Sequence, residues 1–231
     1  MDDEEFRVGY RFTHLIDHAD LFWTLTRTRR FLRARLAAPR FELPADKPLV
    51  VLSFHFGQGL WLIDALAAQG HAVRFVSIRL NRAHSTSTLA HAYARLRVAV
   101  VARLAGAPLI FTGGARRTIG KVLDMGGAVY GLVDVPVAGT EAQVANSVML
   151  ERPAHLPTGL LDLARDHGAC TLVVTAHVAA DGSRVVQASN IHDIGIASVA
   201  DELSQRIKMT PSGWHFWHLW QAFLAQPRGT N

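Results

Sequence analysis

The sequence predicts one α/β domain with a mostly parallel sheet flanked by helices, preceded by an amphipathic helix. Its 231 residues are enough for a single domain with a sizeable core. Apolar residues make up 49% of the chain and charged residues 19%, which is typical of a globular protein. After Pro48, short apolar runs alternate with helical segments, as in parallel sheets with helices on their faces. We therefore expect an N-terminal helix in residues 1–38 and one domain in residues 39–231.

The N-terminal segment predicts an amphipathic helix that begins near Phe12, runs to about Ala37 and ends before Pro39. Apolar residues recur in it at spacings of three or four, at positions 12, 15, 19, 22 and 25. Six arginines follow, at positions 27, 29, 30, 33, 35 and 40. This combination suits an in-plane anchor on an anionic membrane surface. The equal alternative is a helix that packs on the domain with its arginines in solvent.

The other elements follow in order from hydrophobic periodicity and from glycine and proline positions. Short runs rich in apolar and β-branched residues predict strands at 49–54, 72–78, 108–111, 128–134, 146–151, 170–176 and 184–188. Longer segments that follow glycine, serine or threonine positions predict helices at 59–69, 87–104, 115–125, 158–167, 194–208 and 212–224. Asp181-Gly182 predicts a hairpin turn between the last two strands.

The charge balance limits the classes of partner. The net charge is +5 and the basic residues are almost all arginine, whose planar guanidinium matches phosphates of lipid headgroups, coenzyme A or nucleic acid. No apolar stretch reaches the roughly 20 residues of a spanning helix, and the acidic start is unlike a signal peptide. We expect a cytoplasmic protein, peripheral on the inner face of the cytoplasmic membrane if the first helix is an anchor. The single cysteine, Cys170, excludes an intrachain disulfide.

The segment with the clearest chemical signal is the first predicted strand and the turn after it. The strand leads to His55, and the chain then passes through Gly57 and Gly59 into a helix. The carboxyl end of a parallel strand is where α/β sheets place their ligands, and the glycines allow close approach of a substrate or of the backbone. The amides of a helix start can bind a phosphate or a developing oxyanion. The pattern predicts a general base, with a hydrogen-bonded core histidine as the alternative.

Several segments, in this order, resemble the lysophospholipid acyltransferase superfamily, particularly its lipid A biosynthesis branch. They cover much of residues 48–220 and comprise Phe54-His55-Phe56-Gly57-Gln58, the run 126–136 with Asp134, the runs 150–154 and 157–159, and Pro211-Ser-Gly-Trp214. The resemblance implies a glycerolipid acyltransferase-like fold and transfer of a fatty acyl group to a hydroxyl or amine of a lipid or metabolite. The donor would be a thioester of coenzyme A or acyl carrier protein, with no cofactor, no metal and no covalent enzyme intermediate.

The resemblance implies that His55 is the base, but the chain departs from the family's signature. An acidic residue is expected five positions after the histidine, and Leu60 stands there. Three acids are candidates to orient His55 instead. Asp134 closes a predicted strand, Asp64 lies one helical turn beyond Leu60, and Glu141 follows a glycine turn. We favour Asp134, then Asp64.

The predicted substrate-binding residues are Gly57, Gln58 and Gly59 of the turn and two arginines. Arg116 and Arg117 begin the helix before the Asp134 strand, where they would hold a phosphate of donor or acceptor, or simply lie in solvent. The aromatic segment 214–220 predicts core packing or seating at a membrane interface.

Three functions follow from these patterns. The first is an acyltransferase with His55 as base. The second is an acyl-binding or carrier-docking protein of the same fold whose catalysis is impaired. A nucleic-acid binder is the third and least favoured, because no aromatic platform accompanies the arginines.

Overall fold

The structure, a computed structural model, describes residues 2–37, 47–69, 72–82, 86–136, 143–179, 181–189 and 194–224. Pro39, Arg40 and Glu141 therefore lie outside the described residues. In the part of the chain that is described, no helix has both the length and the apolar character needed to cross a membrane.

The described residues form strands β1 (Leu49–Ser53), β2 (Val73–Ser77), β3 (Ile110–Phe111), β4 (Ala128–Leu132), β5 (Val144–Met149), β6 (Arg152–Pro157), β7 (Cys170–Val178) and β8 (Arg184–Ala188). Six of these strands form one sheet in the order β3-β2-β4-β1-β7-β8. Neighbouring strands are parallel except for the antiparallel pair β7 and β8, which confirms the prediction of a mostly parallel sheet. Strands β5 and β6 form a separate antiparallel hairpin.

Helices cover both faces of the sheet. They are α1 (Asp3–Thr26), α2 (Arg29–Arg33), α3 (Gly59–Ala68), α4 (Thr88–Ala105), α5 (Ala115–Asp124), α6 (Gly159–Asp166), α7 (Ile196–Met209) and α8 (Trp220–Phe223). Successive residues of β1 point to opposite faces of the sheet. Val50 and Leu52 therefore enter one core with α5, α6 and α7, while Leu49 and Val51 enter the other core with α3 and α4.

The single N-terminal helix predicted up to residue 37 is wrong, because the segment forms two helices. Asp2 caps the start of α1, which begins well before Phe12. Arg27 then takes an extended conformation and ends α1. The Thr28 side chain accepts a hydrogen bond from the Phe31 amide at 3.3 Å and starts α2 as a separate element.

The strand predicted at 146–151 corresponds to β5, Val144–Met149, and it pairs with a second strand, β6, that the sequence did not predict. Leu150 and Glu151 form the turn between them with φ of 50° and 65°, the left-handed conformation that a two-residue hairpin turn needs. The usual Asn-Gly signal is absent, and two prolines, Pro153 and Pro157, lie in β6. Because of these features, the sequence pattern does not predict β6 as a strand.

The helix predicted at 212–224 is also wrong. Short 3₁₀ turns at Pro211–Gly213 and Trp217–Leu219 precede the four-residue α8. Between the two turns, Trp214 is extended and bridges to Phe56, and the His215 amide donates to the His55 carbonyl at 2.9 Å. This segment thus pairs with the turn after β1 rather than forming a helix.

Candidate active site

His55 and Asp134 meet at the carboxyl edge of the sheet because their strands are adjacent and in register. Ser53, the last residue of β1, lies opposite Leu132, the last residue of β4. His55 lies two residues beyond Ser53, and Asp134 lies two residues beyond Leu132. The His55 Nδ1 atom lies 3.0 Å from Asp134 Oδ1, and the imidazole is 28% exposed while the carboxylate is fully buried.

Asp134 accepts hydrogen bonds from two parts of the chain. The His55 amide donates to both carboxylate oxygens, at 2.9 and 2.8 Å, and the Trp214 indole donates its Nε1 hydrogen to Oδ2 at 2.9 Å. Together with the hydrogen bond from the His55 ring, these contacts replace water around the buried carboxylate and fix its orientation. When Nδ1 donates to Asp134, the neutral imidazole carries its lone pair on Nε2.

The other nitrogen of His55, Nε2, belongs to a ring that is only partly buried. No described residue hydrogen-bonds Nε2, and the imidazole stacks on the Phe216 ring with 3.9 Å between the ring centroids. Phe216 thereby covers one face of the ring and restricts its rotation. Of the two ring nitrogens, Nε2 is therefore the one left for a partner beyond the described residues.

His215, next to Phe216, holds the turn after β1 through two hydrogen bonds. Its amide donates to the His55 carbonyl, and its Nε2 lies 2.8 Å from the Gly57 carbonyl oxygen. Burial lowers the pKa of His215 below its ordinary value, which favours the neutral ring. Since a carbonyl only accepts, the neutral His215 carries its proton on Nε2.

Gly57 is required by close contact with the backbone of β7. Its φ is +61°, and a Cβ placed there would lie 2.1 Å from the Ala176 carbonyl oxygen. The Gly57 amide donates to Gly213 and the Gln58 amide to Ala176. These two amides are therefore not available for a substrate, whereas no described residue accepts from the amides of Gly59 and Leu60 at the start of α3.

The other predicted residues of the turn differ from Gly57. Gly59 has open space where a Cβ would be, so no close approach of the backbone requires a glycine there. The Gln58 side chain is buried and its Oε1 has no hydrogen-bond partner among the described residues.

Asp64 does not take part in the contact between His55 and Asp134. Its carboxylate is buried on α3 and forms a long ion pair with Arg33 of α2, with 3.9 Å between Nε and Oδ2. Neither of its oxygens accepts a hydrogen bond from a described residue. Leu60, one turn earlier, packs in the apolar core under α3 and α4. Of the acids named from the sequence, the structure brings Asp134 to His55 and places Asp64 beside an arginine.

The two predicted phosphate-binding arginines lie toward another part of the sheet. They start α5 after β3, which is three strand positions from β1, or about 14 Å. Arg116 pairs with Asp166 at 2.5 Å and with the Gln143 amide oxygen at 3.2 Å, whereas Arg117 is exposed. The structure does not bring either side chain into the set that contacts His55.

Comparison with known proteins does not assign a family to this chain. No protein-family model and no curated protein sequence matches the chain. Among the described residues, no three histidine, cysteine or acidic side chains cluster as metal ligands would.

Sequence reasoning gave Trp214, His215 and Phe216 no role at the site. Trp214 is fully buried, as predicted for core packing, but its indole nitrogen also serves the Asp134 carboxylate. The available signal was the order Pro211-Ser-Gly-Trp214, which marks a turn followed by an aromatic residue with a polar tip.

Proposed function

We propose that the protein is an acyltransferase that moves a fatty acyl group from a thioester to a hydroxyl or amine of a lipid or metabolite. The observation that carries this proposal is the His55–Asp134 pair, with Nδ1 held 3.0 Å from Asp134 Oδ1 and the imidazole 28% exposed. The resemblance of the turn to the lysophospholipid acyltransferase superfamily supports the same chemistry and a glycerolipid acyltransferase-like fold.

His55 would act directly on the acceptor. Its Nε2 removes the proton of the acceptor hydroxyl or amine as that atom attacks the thioester carbonyl carbon, and the imidazolium then returns a proton to the departing thiolate. Asp134 holds the ring in the productive tautomer and stabilises the imidazolium. A base of this kind contributes about 10²–10⁴ to the rate.

The start of α3 offers a place for the developing oxyanion. The amides of Gly59 and Leu60 belong to its first turn, where the partial positive charge of the helix favours an anion. Hydrogen bonds to an oxyanion, formed where charge develops, lower the barrier more than equal contacts with the ground state.

Direct transfer is favoured over a covalent intermediate by the position of the sole cysteine. Cys170 pairs with Leu49 at the amino end of β1, the opposite end of the strand from His55. The thiol is therefore not placed to act as a nucleophile activated by His55. The donors would be acyl-CoA or acyl carrier protein, and no cofactor takes part.

The test is acyl transfer from radiolabelled acyl-CoA and acyl carrier protein to a lipid extract. We expect His55→Ala to abolish the labelled product and Asp134→Asn to reduce turnover by about 10²–10⁴. Asp64→Asn is the matched control, because it also changes a buried aspartate near the turn, and it should keep most of the activity. Thermal melting of each variant separates lost catalysis from lost folding.

Two results would contradict the proposal. One is full activity in folded Asp134→Asn; the other is donor binding without transfer by the wild-type protein. The second result would support the alternative, an acyl-binding or carrier-docking protein.

A further inference from the structure

Helix α1 presents its apolar face to solvent. Four large apolar side chains, Val8, Phe12, Leu15 and Phe22, are between 58% and 64% exposed, and Ala19 lies between the last two. Their spacing of four, three, four and three residues places all five on one face of the helix. We call these five residues the α1 stripe. A helix on the surface of a soluble domain normally turns such a face to the core.

The opposite face of α1 attaches the helix to the domain through both charged and apolar side chains. Asp17 and Asp20 are buried there and form ion pairs with Arg97 of α4 and Arg184 of β8. The Arg184 guanidinium also lies over the Trp23 and Trp61 rings, 4.9 and 5.2 Å from their centroids. This face, which also buries Leu21 in the apolar core, packs α1 on the domain, and no described residue covers the α1 stripe.

A pocket with three arginines lies at the carboxyl end of α1. It is a cavity of about 190 Å³ lined by Thr24, Arg27, Arg29, Leu32, Arg103 and Leu104, with no acidic side chain in this lining. Arg29 donates to the Arg103 carbonyl at 2.9 Å, and Arg103 donates to the Thr24 carbonyl. Each guanidinium has five N–H groups, so these bonds leave donors for a ligand. Such a cluster suits a phosphate group.

We propose that the α1 stripe binds an anionic phospholipid bilayer and that the exposed arginines at the rim of this pocket, Arg27 and Arg29, contact lipid phosphates. The helix lies in the plane of the membrane, and the stripe enters the boundary between headgroups and acyl chains. Charge complementarity selects this occupant, because exposed Arg11 adjoins the stripe and Arg27, Arg29 and Arg30 follow its carboxyl end. The proposal does not depend on acyl transfer at His55.

The full chain is tested by co-sedimentation with phosphatidylcholine vesicles that contain or lack phosphatidylglycerol. We expect binding only, or at least tenfold more strongly, to the anionic vesicles. Phe12→Ser with Phe22→Ser should weaken binding at least tenfold, because both substitutions remove apolar surface that would be buried in the bilayer. Met125→Ser is the matched control, since Met125 is an exposed apolar residue at the end of α5.

A second pair of variants tests the pocket. Arg27→Gln should weaken vesicle binding about fivefold, from roughly 1 kcal/mol per arginine near an anionic surface. Arg165→Gln, which changes an exposed arginine on α6, should leave binding unchanged. All substituted side chains are at least partly exposed, and unchanged melting temperatures would show that the variants remain folded.

Three outcomes would overturn the proposal. The first is equal binding to neutral and anionic vesicles. The second is self-association, measured by analytical ultracentrifugation, that the double phenylalanine variant abolishes in a protein that does not bind vesicles. The third is stabilisation by inorganic phosphate, lost in Arg27→Gln, without vesicle binding; this would assign the pocket to a free anion.

Discussion

The indole of Trp214 donates its Nε1 hydrogen to Asp134 Oδ2 at 2.9 Å, across 80 positions of sequence. Trp214 is fully buried and packs edge-on against Trp217, with 5.2 Å between the ring centroids. The carboxylate that contacts His55 is therefore held by the C-terminal segment as well as by its own strand. This makes Trp214 a positioning residue for the proposed base.

Replacing Trp214 with phenylalanine keeps an aromatic ring but removes the hydrogen bond. We expect turnover to fall about tenfold, equivalent to about 1.4 kcal/mol, which is near the lower end of the range for a hydrogen bond to a charged group. We also expect the loss to fall on kcat with KM little changed, because the buried indole contacts the Asp134 carboxylate and not a substrate.

Trp217→Phe is the control for this prediction. The Trp217 indole also donates a hydrogen bond in the same segment, but to the Pro211 carbonyl, at 2.7 Å. It should lower the melting temperature and leave kcat near the wild-type value. An equal loss of kcat in Trp214→Phe and Trp217→Phe would show that Trp214 serves packing alone.

The strands of the sheet could be predicted because the sequence signal for each strand lies within its own residues. Each predicted strand of the sheet is a short apolar run that ends near a glycine, a proline or a polar residue, and all six such runs form strands of the sheet. The segments that failed depend on distant partners. Trp214 is extended because it bridges to Phe56, and no periodicity within residues 212–224 contains that information.

The acid beside His55 was only partly predictable for the same reason. The sequence shows that Asp134 follows a strand, but its contact with His55 also requires β4 to be the neighbour of β1. Helical spacing correctly puts Asp64 one turn beyond Leu60. It does not show that α2 brings Arg33 to that carboxylate.

Gly57 should be far less tolerant of substitution than Gly59. In Gly57→Ala the new methyl group would collide with the Ala176 carbonyl oxygen, 2.1 Å away, and the residue would keep a φ of +61°. The left-handed conformation costs roughly 1–2 kcal/mol and the overpacking about 1–3 kcal/mol more. Urea denaturation should therefore show a loss of at least about 2 kcal/mol in the free energy of unfolding.

Gly59→Ala supplies the comparison within the same turn. Nothing lies within 4 Å of its Cβ position, so this variant should unfold at the wild-type urea concentration or slightly above it. Equal destabilisation by the two substitutions would contradict the close contact between Gly57 and β7.

His215 should make the stability of the protein depend on pH. Burial lowers its pKa in the folded state, opposed by the Gly57 hydrogen bond and by Asp17, while His14, whose ring lies 4.7 Å away, and His55 lower it further. As the pH falls below the ordinary histidine pKa of about 6.5, the unfolded chain takes up a proton that folded His215 resists. The free energy of unfolding is therefore highest above that pH and decreases through the window below it.

His215→Gln removes the titrating group and retains an N–H donor for the Gly57 carbonyl. We expect urea midpoints measured at about pH 7.5 and about pH 5.5 to differ less in this variant than in the wild type. Some dependence should persist, because burial also lowers the pKa values of His14 and His177. Identical changes in the two proteins would mean that His215 takes up its proton as readily in the folded state as in the unfolded chain.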